Sequence, residues 1–121
     1  MINLIDKRIP IDDLTIFVKL FKLHKSYLLL ISDQEEMGIG NVALASPSLI
    51  EGLKSTSVSY NLFGLDKKLL TTIISERVSN TLKAPVLLLL FLKVKKKEEE
   101  IAKPLINSLN KMLAEIIEQK D

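Results

Sequence analysis

Cysteine is absent from this 121-residue chain. Its absence excludes disulfides, thiol nucleophiles and thiolate metal sites, and it fits a cytoplasmic protein. Histidine occurs once, as His24. A Ser-His-acid triad would have to use it, yet His24 falls between two apolar runs where a hairpin tip is expected, and a tip neither excludes water nor orients an imidazole. The chain has four glycines. Gly38 and Gly40 resemble a fragment of a phosphate-binding loop, but the third glycine and the Lys-Ser/Thr pair are missing. Asp33, Glu35 and Glu36 lack the ligand spacing of a calcium loop. Asp12 and Asp13 are adjacent, so on a strand they point to opposite sides and do not converge on one substrate atom. The expectation is no enzyme, no metal and no cofactor.

Charge of one sign is also scarce. Seventeen Lys and Arg against fifteen Asp and Glu leave a net charge of +2, too small for general attraction to nucleic acid or anionic membrane. The basic run at Lys93 and residues 95–97 is offset at once by Glu98, Glu99 and Glu100, with no aromatic platform for bases. The longest apolar run, residues 86–92, falls far short of the ~20 residues that span a bilayer. No basic segment leads into an apolar one near Met1, so no cleaved leader is expected.

What remains has the composition of a folded soluble protein, 47% hydrophobic and 26% charged, and its length suits one domain over residues 1–121. TIFVKLFKL at 15–23 and YLLLIS at 27–32, interrupted by His24, Lys25 and Ser26, predict a β-hairpin. The stretch 33–41 is acidic and then glycine-interrupted, which suits a mobile turn. A short strand is expected at 42–45, a break at Ser46-Pro47-Ser48, at most a turn of helix around Gly52, and a half-buried strand where Val58, Tyr60 and Leu62 alternate with polar residues. Asp66 is an N-cap candidate, with Leu65 and Leu70 placed as a hydrophobic staple, for a helix running to about Lys83. Pro85 ends it. Residues 86–94 predict a central strand covered on both faces.

A last helix begins between Glu98 and Pro104. Because proline tolerates the first helical position but not the interior, the later start is favoured. Its apolar residues, from Leu105 and Leu109 to Ile116, occupy one arc. In the first helix the apolar arc is wider, and much of the remainder is small hydroxyl residues. Such a helix either lies internally under the sheet or makes a subunit contact through Leu69, Thr72, Ile73, Ser75 and Ser79. The fold class is therefore α+β, a mostly antiparallel sheet of about five to six strands with two helices packed on one face and used in dimerisation. Without a visible active site, the residues point to an interaction protein.

Ser26-Tyr27-Leu28-Leu29-Leu30-Ile31, the Met-Gly turn in Glu36-Met37-Gly38-Ile39-Gly40-Asn41-Val42-Ala43-Leu44, the Pro-Ser break at Pro47-Ser48, the run Val58-Ser59-Tyr60-Asn61-Leu62-Phe63-Gly64-Leu65-Asp66 and the loop and strand Ala84-Pro85-Val86-Leu87-Leu88-Leu89-Leu90 follow one another in a telling order. In order and spacing this series resembles the proteasome assembly chaperone 3 family and, more distantly, the chaperone 4 family. The short N-terminal lead and the charged insertion at 95–100 depart from that pattern. The resemblance implies a non-enzymatic, cytoplasmic chaperone that forms a homodimer or a heterodimer with a related chaperone and binds α subunits of the 20S proteasome to promote α-ring assembly. It places the Met-Gly turn in the acidic loop, where Asp33, Glu35 and Glu36 would form the rim of a contact with an α subunit, with Met37 and Ile39 as its apolar anchors. A roadblock- or longin-like scaffold for GTPases is the alternative of similar size, although the roadblock type opens with a helix and strand-like residues come first here.

Overall fold

Two-residue connections organise the N-terminal half. The computed structural model describes residues 1–47, 56–61, 68–94 and 97–119, the segment 56–61 by its backbone alone. Strand β1 (Ile2–Ile11) turns through Asp12 and Asp13 into β2 (Leu14–Leu23), which turns through His24 and Lys25 into β3 (Ser26–Ser32). Each turn places one residue in the left-handed region, Asp12 at φ 54° and Lys25 at φ 54°. Aspartate adopts that region more readily than lysine does. Strands β4 (Asn41–Ser46) and β5 (Thr56–Asn61) form a second antiparallel pair. Helix α1 (Lys68–Leu82), strand β6 (Val86–Phe91) and helix α2 (Glu98–Gln119) complete the chain.

The sheet has six strands in the order β1-β2-β3-β6-β4-β5. Only β3 and β6 pair in parallel; the other four pairings are antiparallel. The expected α+β class, the hairpin at 15–32 and the central position of β6 are all found. The N-cap at Asp66, the staple residue Leu65, the turn around Gly52 and the side chains of the alternation at 58–62 lie outside the described residues.

Coverage of β6 differs from expectation. Val86, Leu88 and Leu90 are sealed, whereas Leu87, Leu89 and Phe91 are half-buried on the opposite face. Both helices contribute to a single apolar cluster against one side of the sheet, in which Ile16, Val18, Leu20, Leu29 and Ile31 meet Leu70, Ile74, Leu105 and Leu113. Among the described residues, both faces of β6 are apolar and the helices cover one of them.

Helix α2 corrects a second expectation, because it begins at Glu98 and carries Pro104 inside it. The three carboxylates sit in the first turn, where the helix dipole favours them. Fully buried Ile101 anchors that turn in the core. The bond that Pro104 cannot donate would have gone to the carbonyl of Glu100, an exposed residue that water can serve. Glu98 adds a link of its own, since its Oε2 accepts the main-chain N–H of Leu70 at 2.8 Å and so satisfies an orphan donor in the first turn of α1.

Helix α1 ends in a Schellman arrangement. Lys83 takes φ 55°, and the N–H of Ala84 donates to the carbonyl of Ser79 at 3.3 Å. Its inner arc joins Leu70, Ile74 and Val78 to Thr71, Ser75 and Ser79, all fully buried or nearly so. The small hydroxyl residues allow a close approach to β4, whose inward residues Ala43 and Ala45 are also small and sealed.

Candidate interaction surfaces

The sheet face turned away from the helices is apolar in its centre. Strand register aligns Phe21, Leu28, Leu87 and Leu44 in one row, and Lys19, Leu30, Leu89 and Val42 in the next. Apart from Leu44, which is 52% exposed, these side chains are half-buried by their sheet neighbours. Among the described residues no helix packs on them. A third row, Phe17, Ser32 and Phe91, closes one end. Arg8 lies over the Phe17 ring at 5.3 Å and Lys93 over the Phe91 ring at 5.9 Å, so cations rim this end.

The acidic loop folds over the same end. Asp33 is half-buried, and its carboxylate is engaged within the chain: its Oδ1 accepts the N–H of Lys93 at 3.1 Å and its Oδ2 that of Val94 at 2.8 Å. Its own N–H donates to the Phe91 carbonyl at 3.2 Å, continuing the strand pairing beyond β3. Ser32, fully buried, donates its hydroxyl to the Glu36 carbonyl and accepts the N–H of Gln34. Gly38 lies flat on Phe91; a Cβ there would fall 2.7 Å from Cδ2 and 2.9 Å from Cγ of the ring. The loop, expected as a mobile turn, is thus latched at Asp33 and Gly38. Glu35, Glu36 and Ile39 remain exposed and Met37 is half-buried. Gln34, Glu35, Glu36, Phe91 and Lys93 line a shallow depression of about 450 Å³.

The residues expected to form a subunit contact on α1 are divided by the fold. Ser75 and Ser79 are sealed inside the protomer and bond to main-chain carbonyls, Ser75 to Thr72 at 3.1 Å and Ser79 to Ala84 at 2.7 Å. Ser79 also approaches the Ala45 carbonyl at 3.3 Å, which ties the end of α1 to β4. Neither hydroxyl is at the surface to meet another subunit. Leu69, 64% exposed, Ile73, 37% exposed, and part of Thr72 do face solvent.

His24 is exposed at its hairpin turn, where the Ser26 hydroxyl donates to its main-chain carbonyl at 3.0 Å. Among the described residues, no group of three or more His, Cys, Asp or Glu is arranged to hold a metal ion, and no helix is long and apolar enough to cross a membrane. The open sheet face is the feature that the sequence reading missed. Alternation on β2, where Phe17, Lys19 and Phe21 interleave with Ile16, Val18 and Leu20, was the available signal.

Neither a family model nor a curated protein matches this chain. Among solved structures, a chain from the crystal structure of a chaperone complex for yeast 20S proteasome assembly is similar, with a TM-score of 0.57 and 14% sequence identity over 90% of this chain and 95% of that one. At that identity the likeness is one of fold.

Proposed function

We propose that this chain is a non-enzymatic assembly chaperone of the proteasome assembly chaperone 3 and 4 type, working in the cytoplasm, which pairs with a second chaperone subunit and binds α subunits of the 20S proteasome. The observation that carries the reading is an open apolar sheet face on a chain that shares its fold, over nearly its whole length, with a subunit of a proteasome-assembly chaperone complex. A protein whose task is to hold partners needs apolar surface in the free protomer, and here the sheet supplies it.

The open face suits the chaperone partner better than α1 does. The four strands that carry its described rows, at ~4.8 Å spacing and ~3.3 Å per residue, make a face of roughly 400 Å², about half of the ~800 Å² per partner of a standard interface. Leu69 and Ile73 by themselves offer far less. The acidic loop borders the same face, so Glu35, Glu36, Met37 and Ile39 stand ready to meet an α subunit beside the chaperone pair. Carboxylates at the rim steer the encounter and the apolar residues hold it.

Co-expression with α subunits of the host proteasome, followed by affinity capture and mass spectrometry, tests the reading. Recovery of an α subunit, with association slowed at low salt by Glu35→Lys and Glu36→Lys, is the expected result. A folded protein that captures no α subunit would refute it.

A further inference from the structure

Strand β1 is terminal in the sheet: it pairs with β2, and among the described residues no strand lies along its other side. Charge and proline on such an edge ordinarily deter pairing. Their order in β1 favours one pairing in particular. In a two-residue hairpin turn the flanking residues, here Ile11 and Leu14, make the closing hydrogen bond, so Ile11 directs its main-chain groups toward β2. By alternation Ile9, Lys7 and Ile5 do the same, while Pro10, Arg8 and Asp6 direct theirs to the free edge. Pro10 agrees with this, since the nitrogen that carries no hydrogen then faces away from the ladder.

Side chains alternate in the same step. Arg8 stacks over Phe17 at 5.3 Å on the open face, which places Asp6 on that face too. Lys7 points the other way and pairs with Glu115 on α2 at 3.2 Å. Among the described residues Asp6 has no ion pair. Stacking occupies the face of the Arg8 guanidinium and leaves its N–H edge available to a carboxylate.

We infer that β1 pairs antiparallel with β1 of a second copy of this chain, about a two-fold axis that passes through Lys7 normal to the sheet. In that register Asp6 of each copy faces Arg8 of the other. Both residues turn their main-chain groups outward, so each such pair exchanges its two main-chain hydrogen bonds and sets a carboxylate opposite a guanidinium. The other registers that keep the outward groups together are worse. Centring on Asp6 opposes two carboxylates, while centring on Arg8 opposes two guanidiniums and sets Asp6 against Pro10, which has no N–H to return. The interruptions of the strand obey the same symmetry. The ladder shifts between Asn3 and Ile5, so Leu4 is the extra residue, and it falls opposite Pro10 of the second copy, where regular pairing ends on both strands. On the helix side Ile5 meets Ile9 and joins the two apolar clusters, and each Lys7 at the axis keeps its own Glu115. The open faces of both copies lie on one side of the joined sheet and stay uncovered, so this contact is separate from the pairing proposed for that face.

Sedimentation equilibrium of the full chain over roughly 1 µM to 1 mM measures the pairing. A monomer–dimer equilibrium is expected, weakened about tenfold by Asp6→Arg or by Arg8→Asp, either of which opposes like charges across the axis. Mixing the two variants should restore a mixed dimer, because one chain then carries two cations and the other two carboxylates, and combining both changes in one chain should restore pairing as well. Lys7→Cys checks the register. The chain has no other cysteine, and residues facing each other in a non-hydrogen-bonded pair lie within disulfide reach, so this variant should cross-link under mild oxidation far faster than His24→Cys. All these positions are exposed, and circular dichroism verifies the fold. A monomer throughout the range, a dimer indifferent to the charge changes or broken instead by Leu44→Asp on the open face, or two variants that fail to pair when mixed would overturn the inference.

Discussion

Leu88 and Leu89 are consecutive on β6, and alanine at each in turn separates the two faces of the sheet. Leu88 is fully buried, flanked in register by Leu29 and Ala43 and roofed by the helices. A leucine-to-alanine change in such a closed site costs about 2–5 kcal/mol, the transfer free energy of the lost atoms plus the cavity left behind. Helices and sheet meet rigidly there, so about 3–4 kcal/mol is expected, a large share of the ~5–15 kcal/mol that holds a typical domain folded. Leu89 is half-buried on the open face between Leu30 and Val42. Truncation there loses only part of a transfer term and leaves no enclosed cavity, so about 1 kcal/mol is expected in the isolated protomer. Urea unfolding followed by far-UV circular dichroism at sub-micromolar protein measures both. If the face docks a partner as proposed, repeating the titration at high concentration, or with a captured partner present, should enlarge the Leu89→Ala effect and leave the Leu88→Ala effect unchanged. Equal costs for the two variants in the dilute monomer would mean that the face of Leu89 is already covered within the protomer, and the argument for a docking face would fail.

Three further changes test the internal links. Glu98→Ala removes the acceptor for the Leu70 N–H and should cost about 1 kcal/mol, much of it restored by Glu98→Gln, as read by urea midpoints. Gly38→Ala drives a Cβ into the Phe91 ring and should destabilise by about 1–3 kcal/mol; Phe91→Leu in the same chain should relieve part of that loss, whereas no relief would place the strain elsewhere. Lys83→Gly should stabilise by about 1 kcal/mol, because Lys83 holds a left-handed conformation that costs a lysine and not a glycine; a lower thermal midpoint would contradict the assignment of the helix end.

The elements that could be read from sequence are those whose local chemistry and tertiary role agree. The β2–β3 hairpin joins β-branched and apolar runs across two polar residues, and α1 ends just before Pro85, so propensity and packing give one answer. β1 has three consecutive charged residues, Asp6, Lys7 and Arg8, and Pro10 besides, and no element is predicted there from the sequence. As an edge strand it needs only Ile5, Ile9 and Ile11 turned toward the core, and Asp6, Lys7 and Arg8 are left exposed. The start of α2 was obscured for a related reason. Local rules place Pro104 at a helix start, but the burial of Ile101 and the bond from Leu70 to Glu98 extend the helix past that rule.

The interaction surface was harder to read than the fold, and the reason is physical. A strand such as β6 that is apolar on both sides needs cover on both, but its sequence cannot distinguish cover by its own helices from cover by another chain, since the transfer free energy of a leucine is the same in either case. Small hydroxyl residues on α1 carried the opposite ambiguity. Ser75 and Ser79 have the size of interface residues on a two-sided helix, yet opposite Ala43 and Ala45 they allow α1 to lie close to β4 within one protomer. What resolves both cases is register. Once Leu28, Leu87 and Leu44 are aligned across three strands and both helices are found on the other side, subtraction leaves an apolar surface that no helix covers among the described residues. The acidic loop belongs to the same geometry, because Asp33 and Gly38 contact the end of β6 and bring Glu35 and Glu36 beside the open face.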